Sequence, residues 1–238
     1  MFSTSELENV LFIDIETACM VADYYEMPPR MQTLWDKKSR RYQQQEPEKS
    51  SEELFFEKGG IHAEFAKVVC ISCGYLKFST EGKPEIRLKS FAGDNEQELL
   101  AEFGEMVQKY TQQKSGRKLC AHNGKEFDFP FLGRRYLIHQ LPLPGVLQTQ
   151  GKKPWETPFL DTMELWKFGD YKSYTSLDLL GAILGVPSSK DDIDGSQVSA
   201  VYWHNRNVDR IREYCEKDVV ATAQVLLRMS YQPLLEIG

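Results

Sequence analysis

The stretch Leu11-Phe12-Ile13-Asp14-Ile15-Glu16-Thr17 constrains this chain more than any other. Val10 to Ile15 is apolar except at Asp14, the pattern of a buried central strand. A carboxylate inside such a strand is costly unless it is paired or holds a metal. Asp14 and Glu16 stand two apart, so in a strand their side chains share one face. Two like charges there repel, and a divalent cation would remove the repulsion. The stretch thus predicts a metal site whose other ligands lie elsewhere in the chain.

Composition narrows the class. At 238 residues, 41% hydrophobic and 27% charged, the chain suits one soluble domain with room for an insertion. A net charge of -6 disfavours passive binding to nucleic acid through a basic surface. It is compatible with an enzyme whose phosphate-binding charge comes from metal ions. Five cysteines, an odd number, read as reduced core thiols of a cytoplasmic protein. Cys70 and Cys73 have CxxC spacing, but they sit in the strand-like run Val68 to Leu76 and point to opposite faces. Core packing is the better reading for them. Met1 to Glu8 has no basic n-region, and no apolar segment approaches the ~20 residues that span a bilayer, so neither secretion nor a membrane span is expected.

Along the chain, residues 19 to 60 read as a helical insertion between two strands. Pro28-Pro29 marks a loop, Met31 to Gln45 is helix-permissive, and Gly59-Gly60 closes a short helix from Glu52. Ala66 to Phe78 and Pro84 to Phe91 predict two strands of a meander joined at Glu81-Gly82-Lys83. Asp94 or Asn95 caps a helix to about Thr111, and Arg117 to His122 is a short strand. Asp128 to His139 is helical, with Pro130 in its first turn. Phe159 to Trp166 reads equally as strand or short helix. Ser176 to Leu184, Val198 to His204 and Val208 to Met229 are helices, with a polar turn at Lys190 to Ser196. This order gives a mixed α/β sheet with helices packed against it.

Two further places carry chemistry. In Cys120-Ala121-His122-Asn123-Gly124-Lys125-Glu126-Phe127-Asp128, a strand runs through a glycine loop into a helix start. Asp128 alone reads as a helix cap. In Tyr214-Cys215-Glu216-Lys217-Asp218, the tyrosine and the aspartate share a helix face at i and i+4. Alone they read as an exposed pair on an amphipathic helix.

Taken in order, Asp-x-Glu-Thr, Asn-x(4)-Asp and Tyr-x(3)-Asp resemble the three motifs of the DEDD exonuclease superfamily, spanning Asp14 to Asp218. Tyr214 stands four before the last aspartate and fits the tyrosine (DEDDy) variant; Glu213 occupies the place where the histidine variant would have its histidine. The chain is most similar to the proofreading 3′–5′ exonuclease domain of family B DNA polymerases, in its stand-alone bacterial form. Segments Gly60 to Val69, Ser176 to Leu180 and Asp192 to Ser196 share that look.

The resemblance implies a ribonuclease H-like fold over residues 1–238, a single exonuclease domain with its inserted helical segment at about 19–60. It implies hydrolysis of single-stranded or frayed DNA from the 3′ end, releasing nucleoside 5′-monophosphates. Asp14, Glu16 and Asp218 would hold one divalent ion, and Asp14 and Asp128 a second, Mg²⁺ or Mn²⁺ by the hardness of oxygen ligands. Tyr214 would position the attacking water. Thr17 would contact the terminal nucleotide or, equally, bond to backbone. Asn123 would shape the loop before Asp128, and Phe127 would stack on a base or pack in the core. Of the basic pairs at 37–38, 40–41, 134–135 and 152–153, the run in the insertion is the favoured guide for a substrate strand. A polymerase or repair enzyme in trans is the expected protein partner. Two alternatives remain: an exoribonuclease, and a non-catalytic nucleic-acid-binding or docking subunit.

Overall fold

A computed structural model describes residues 2–170, 174–187 and 193–236. Lys190 and Asp192, from the expected turn, lie outside the described residues. In chain order the elements are α1 (Thr4–Leu7), β1 (Val10–Cys19), α2 (Pro29–Gln43), α3 (Ser51–Lys58), β2 (Ala66–Phe78), β3 (Pro84–Ala92) and α4 (Glu96–Gln113). There follow β4 (Lys118–Ala121), α5 (Asp128–Ile138), β5 (Phe159–Asp161), α6 (Thr162–Lys167), α7 (Leu177–Leu184), α8 (Val198–Trp203) and α9 (Val208–Met229).

The strands form one mixed sheet in the order β3-β2-β1-β4-β5. β1 pairs antiparallel with β2 and parallel with β4, so the apolar strand read from the sequence is the central one. Alternation along β1 sorts its residues between two cores. Leu11, Ile13 and Ile15 pack with Leu100 and Phe103 of α4 and Phe131 and Leu132 of α5. Val10 and Phe12 pack with Val219, Ala223 and Leu226 of α9. Asp14 and Glu16 continue the second series and therefore belong to the α9 face.

A register shift between Glu16 and Thr17 turns Val69 and Cys70 of β2 to the same side, where both pack with Ala18, Cys215 and α8. Cys73 belongs to the opposite core, as its offset from Cys70 requires. All five cysteines are buried and unpaired.

The helices between β1 and β2 close on their own aromatic cluster. Trp35 is fully buried among Tyr24, Met27, Leu54, Phe55 and Phe65, and its indole N–H donates to Ser51 O at 2.8 Å. Cys19, the last residue of β1, lies in the same cluster, which ties the insertion to the end of the strand that carries Asp14 and Glu16. The ambiguous stretch at 159–166 is both things in turn: β5 ends at Asp161, and that residue caps α6. Among the described residues, no helix is long and apolar enough to cross a membrane.

Candidate active site

The central strand outruns its parallel neighbour. β4 pairs with β1 only at Val10 to Phe12, so Ile15 lies beyond the paired segment. The Asp128 carboxylate fills the gap, its Oδ1 accepting from Ile15 N–H at 3.2 Å. A helix-capping side chain would bond its own first turn, but that end of α5 has no side-chain cap bond. The carboxylate instead reaches across to β1, with only 4% of the residue exposed.

Three devices hold the loop before it. Asn123 adopts a left-handed backbone (φ 60°), which asparagine tolerates better than most residues, and its carbonyl accepts from Glu126 and Phe127 N–H. Gly124 packs so closely that a Cβ would lie 2.4 Å from Ala121 Cβ and 3.3 Å from Asp128 Oδ2. Asp161, 2% exposed, accepts from the loop amides of Asn123 (2.9 Å) and Lys125 (3.1 Å) and from Met163 and Glu164 N–H of α6. Sequence reasoning missed Asp161. The Asp-x-x-Glu pattern Asp161 to Glu164 was its available signal.

Across the sheet, α9 brings Tyr214, Cys215 and Asp218 to the face that carries Asp14 and Glu16. One potential ligand atom from each of Asp14, Glu16 and Cys215 falls in a group within 4.8 Å of one another. The Cys215 thiol donates to the Asp14 carbonyl at 3.3 Å, and burial pushes its pKa well up, so it stays a neutral donor. The Tyr214 hydroxyl bonds Asp218, one helical turn away.

Electrostatics bind the four carboxylates into one group. Burial and then the charges of Glu16, Asp218 and Asp128 raise the Asp14 pKa well above its ordinary value. Burial, then Asp218 among other charges, does the same for Glu16. Asp128 is raised to about 7, first by burial and then by Asp161 and Asp218, against the lowering effect of its backbone bonds. Tyr214 is raised by burial and by Asp218, Glu16 and Asp14, which keeps the phenol protonated.

The donor chemistry fits a hard divalent cation. Asp14 Oδ2 is buried with no hydrogen-bond partner, and clustered carboxylates resist ionisation until a cation offsets their mutual repulsion. The neutral thiol beside them is a poor ligand for such an ion.

The other expected residues have definite surroundings. Thr17 Oγ1 donates to Gly60 O at 2.7 Å. Phe127 is half-buried, its ring 5.4 Å from Phe131, at the margin of the α4/α5 core. Asn123 Oδ1 is buried without a partner. His122 is held structurally, between Thr162 Oγ1 and Thr175 O at 2.8 Å each. Asp194 caps a short turn through Ser196 N–H. Arg135 is taken up in a buried pair with Glu96, whereas Arg134 is exposed.

Sheet order and flanking helices define a ribonuclease H-like α/β protein with a cluster of carboxylates on and around its central strand. More narrowly, the chain belongs to the family described as predicted 3′–5′ exonucleases related to the exonuclease domain of PolB, which matches residues 61–233. Asp128, Tyr214 and Asp218 fall inside that match, while Asp14 and Glu16 precede it. Among solved structures, the family B DNA polymerase from the hyperthermophilic archaeon Pyrobaculum calidifontis is similar in fold, with a TM-score of 0.56 and 16% identity. The likeness covers 93% of this chain and 24% of the polymerase, so the chain spans about a quarter of that protein's length. No curated protein matches the chain in sequence.

Proposed function

We propose that the chain is a single-domain, metal-dependent 3′–5′ exonuclease acting on single-stranded or frayed DNA and releasing nucleoside 5′-monophosphates. The observation that carries this reading is the convergence of Asp14 and Glu16 on β1 with the Tyr214/Asp218 face of α9, while Asp128 docks on Ile15 N–H. Family membership supports the reaction class.

Asp14, Glu16, Asp128 and Asp218 are the residues that would hold two divalent ions, Mg²⁺ or Mn²⁺. Such ions, when bound, supply a water of lowered pKa and offset the charge of a phosphodiester in displacement. The remaining work falls to the chain itself. Tyr214, protonated and tethered to Asp218, offers a hydroxyl that orients the attacking water and does not accept its proton. Asp128 is fixed by the β1 amide, and Asp161 fixes the loop that delivers it, so the carboxylates are set before substrate arrives. Thr17, Asn123 and Phe127 lie beside these groups in sequence and are the candidate contacts to the terminal nucleotide.

Five unpaired buried thiols favour a cytoplasmic setting. The likeness to one quarter of a polymerase favours a polymerase or repair enzyme as a partner in trans.

The test is digestion of matched 5′-labelled DNA and RNA strands with Mg²⁺ or Mn²⁺. The DNA is expected to shorten stepwise from its 3′ end. Asp14→Ala and Asp128→Ala are expected to abolish release while circular dichroism stays native. Preferential shortening of RNA would replace the substrate. Binding without turnover across divalent metals would replace the enzyme with a docking subunit.

A further inference from the structure

The basic pairs of the sequence part company in three dimensions. Arg135 is consumed by Glu96, with Nη2 to Oε2 at 2.6 Å, whereas its neighbour Arg134 is exposed. On α2, Lys38 lies 3.5 Å from the exposed Glu64 carboxylate. Arg41 donates to the Tyr42 hydroxyl at 2.7 Å, and that hydroxyl bonds His62 Nε2, also at 2.7 Å. The loop holding His62 and Glu64 is thus met by α2, and Arg134 of α5 acts on both of its titratable groups. Burial first, then Lys38, Arg41 and Arg134, lower His62 to about 4, against the opposing effect of Glu64. The local field is positive on a chain whose net charge is -6.

This patch adjoins the end of the strand that carries Asp14 and Glu16. His62 directly follows the turn Gly59–Ile61, whose Gly60 carbonyl accepts from Thr17 Oγ1 at the end of the Asp-x-Glu-Thr stretch. On α5, Arg134 stands six residues beyond Asp128, about 9 Å along the helix axis at ~1.5 Å per residue and about a third of a turn around it. Leu34, 41% exposed, precedes Lys38 by one helical turn, and Ile61 is 53% exposed on the turn itself. Cations and apolar side chains therefore share the surface around α2 and this turn. Glu64 is exposed and its pair with the half-buried Lys38 is long at 3.5 Å, so an incoming anion displaces Glu64 at small cost.

We infer that Lys38, Arg41 and Arg134 form a cradle for the backbone phosphates of a single strand, beside the end that meets the carboxylate cluster, an inference that rests on the exonuclease reading. The cradle gives the helices between β1 and β2 a task. Four clustered carboxylates repel the phosphates next to the scissile one, and a basic surface immediately outside them holds the strand in place.

The test compares wild type with Lys38→Gln/Arg41→Gln/Arg134→Gln on single-stranded DNA over a salt series. Initial rates give KM and kcat. Anisotropy of a labelled strand with phosphorothioate 3′ linkages gives Kd. With about 0.7 of slope per phosphate contact on single strands, the triple variant is expected to lose about 2 from the slope of log Kd against log salt. KM is expected to rise about tenfold, with the loss falling in KM and not in kcat. Glu64→Gln is expected to move Kd the other way, and Arg41→Lys/Arg134→Lys to restore most of the slope. A triple variant with the wild-type slope and KM overturns the cradle and leaves the exonuclease reading standing. A wild type that hydrolyses neither DNA nor RNA overturns the exonuclease reading and the cradle with it.

Discussion

Asp128 offers the sharpest test of the electrostatics of the carboxylate cluster, because burial pushes its carboxyl up to about 7 in the fold from an ordinary value of 3.8. A carboxyl raised in this way stabilises the fold fully below its unfolded pKa, and the contribution is lost as pH climbs through the folded value. Between 3.8 and about 7, at ~1.4 kcal/mol per pH unit, the loss amounts to ~4 kcal/mol. Asp14 and Glu16 are shifted in the same direction and add to it. Asp128→Asn removes the charge and keeps an oxygen to accept from Ile15 N–H. The assay is denaturant unfolding in EDTA near pH 5 and near pH 8. Wild type is expected to be several kcal/mol less stable at the higher pH. The variant is expected to exceed wild type there by roughly 2–4 kcal/mol and to converge with it below about pH 4. If Asp128 is one of the ligands, added Mn²⁺ is expected to stabilise wild type at pH 8 and to stabilise the variant much less. A wild type whose stability is flat across this range in EDTA, or a variant less stable than wild type at pH 8, refutes the reasoning.

Tyr214→Phe deletes the hydroxyl tethered to Asp218 and leaves the ring in place. If it orients the water, kcat is expected to fall by about 10²-fold with KM little changed, and an unchanged kcat would remove Tyr214 from the reaction. Asp161→Ala strands the Asn123 and Lys125 amides and uncaps α6. It is expected to cost about 3 kcal/mol in denaturant unfolding and to lower kcat as the Asp128 loop relaxes; a stability change under about 0.5 kcal/mol would show the loop to be held by other contacts.

What the sequence made legible follows the range of the forces involved. β1, β2 and α9 carry long apolar runs, and hydrophobic pattern gives the bounds of β2 at Ala66 and Phe78 and of α9 at Val208 and Met229, and the start of β1 at Val10, though β1 continues past Ile15 to Cys19. The i, i+2 spacing of Asp14 and Glu16 and the i, i+4 spacing of Tyr214 and Asp218 fix which side chains share a face before any tertiary contact is known. The local pattern of Asp161 signals only its cap on α6; its hold on the loop was opaque because it is made by bonds to amides 36 and 38 residues away. No local pattern encodes such a partner. The same holds for Cys215, a buried thiol that local sequence alone reads as core. Asp128 was legible as a carboxylate at a helix start but not as one bonded across 113 residues to Ile15. That bond exists only because β4 stops short of β1.

The strand mismatch is therefore what admits Asp128 to the carboxylate cluster. β1 runs from Val10 to Cys19, and its parallel neighbour β4 only from Lys118 to Ala121. A sheet with matched strands would spend the Ile15 amide on a backbone carbonyl and leave Asp128 no place on the central strand. Ending β4 early creates an unsatisfied buried donor, and a carboxylate is the acceptor that meets it most strongly. The loop from Asn123 to Phe127, held by Asp161, then turns the chain into α5 at the right height. The result concentrates four carboxylates where two would already repel, with Asp14 Oδ2 left unpartnered. Such an arrangement is costly to the fold alone and would become favourable with a cation bound, so the proposed metal predicts that stability and occupancy of the carboxylate cluster rise and fall together.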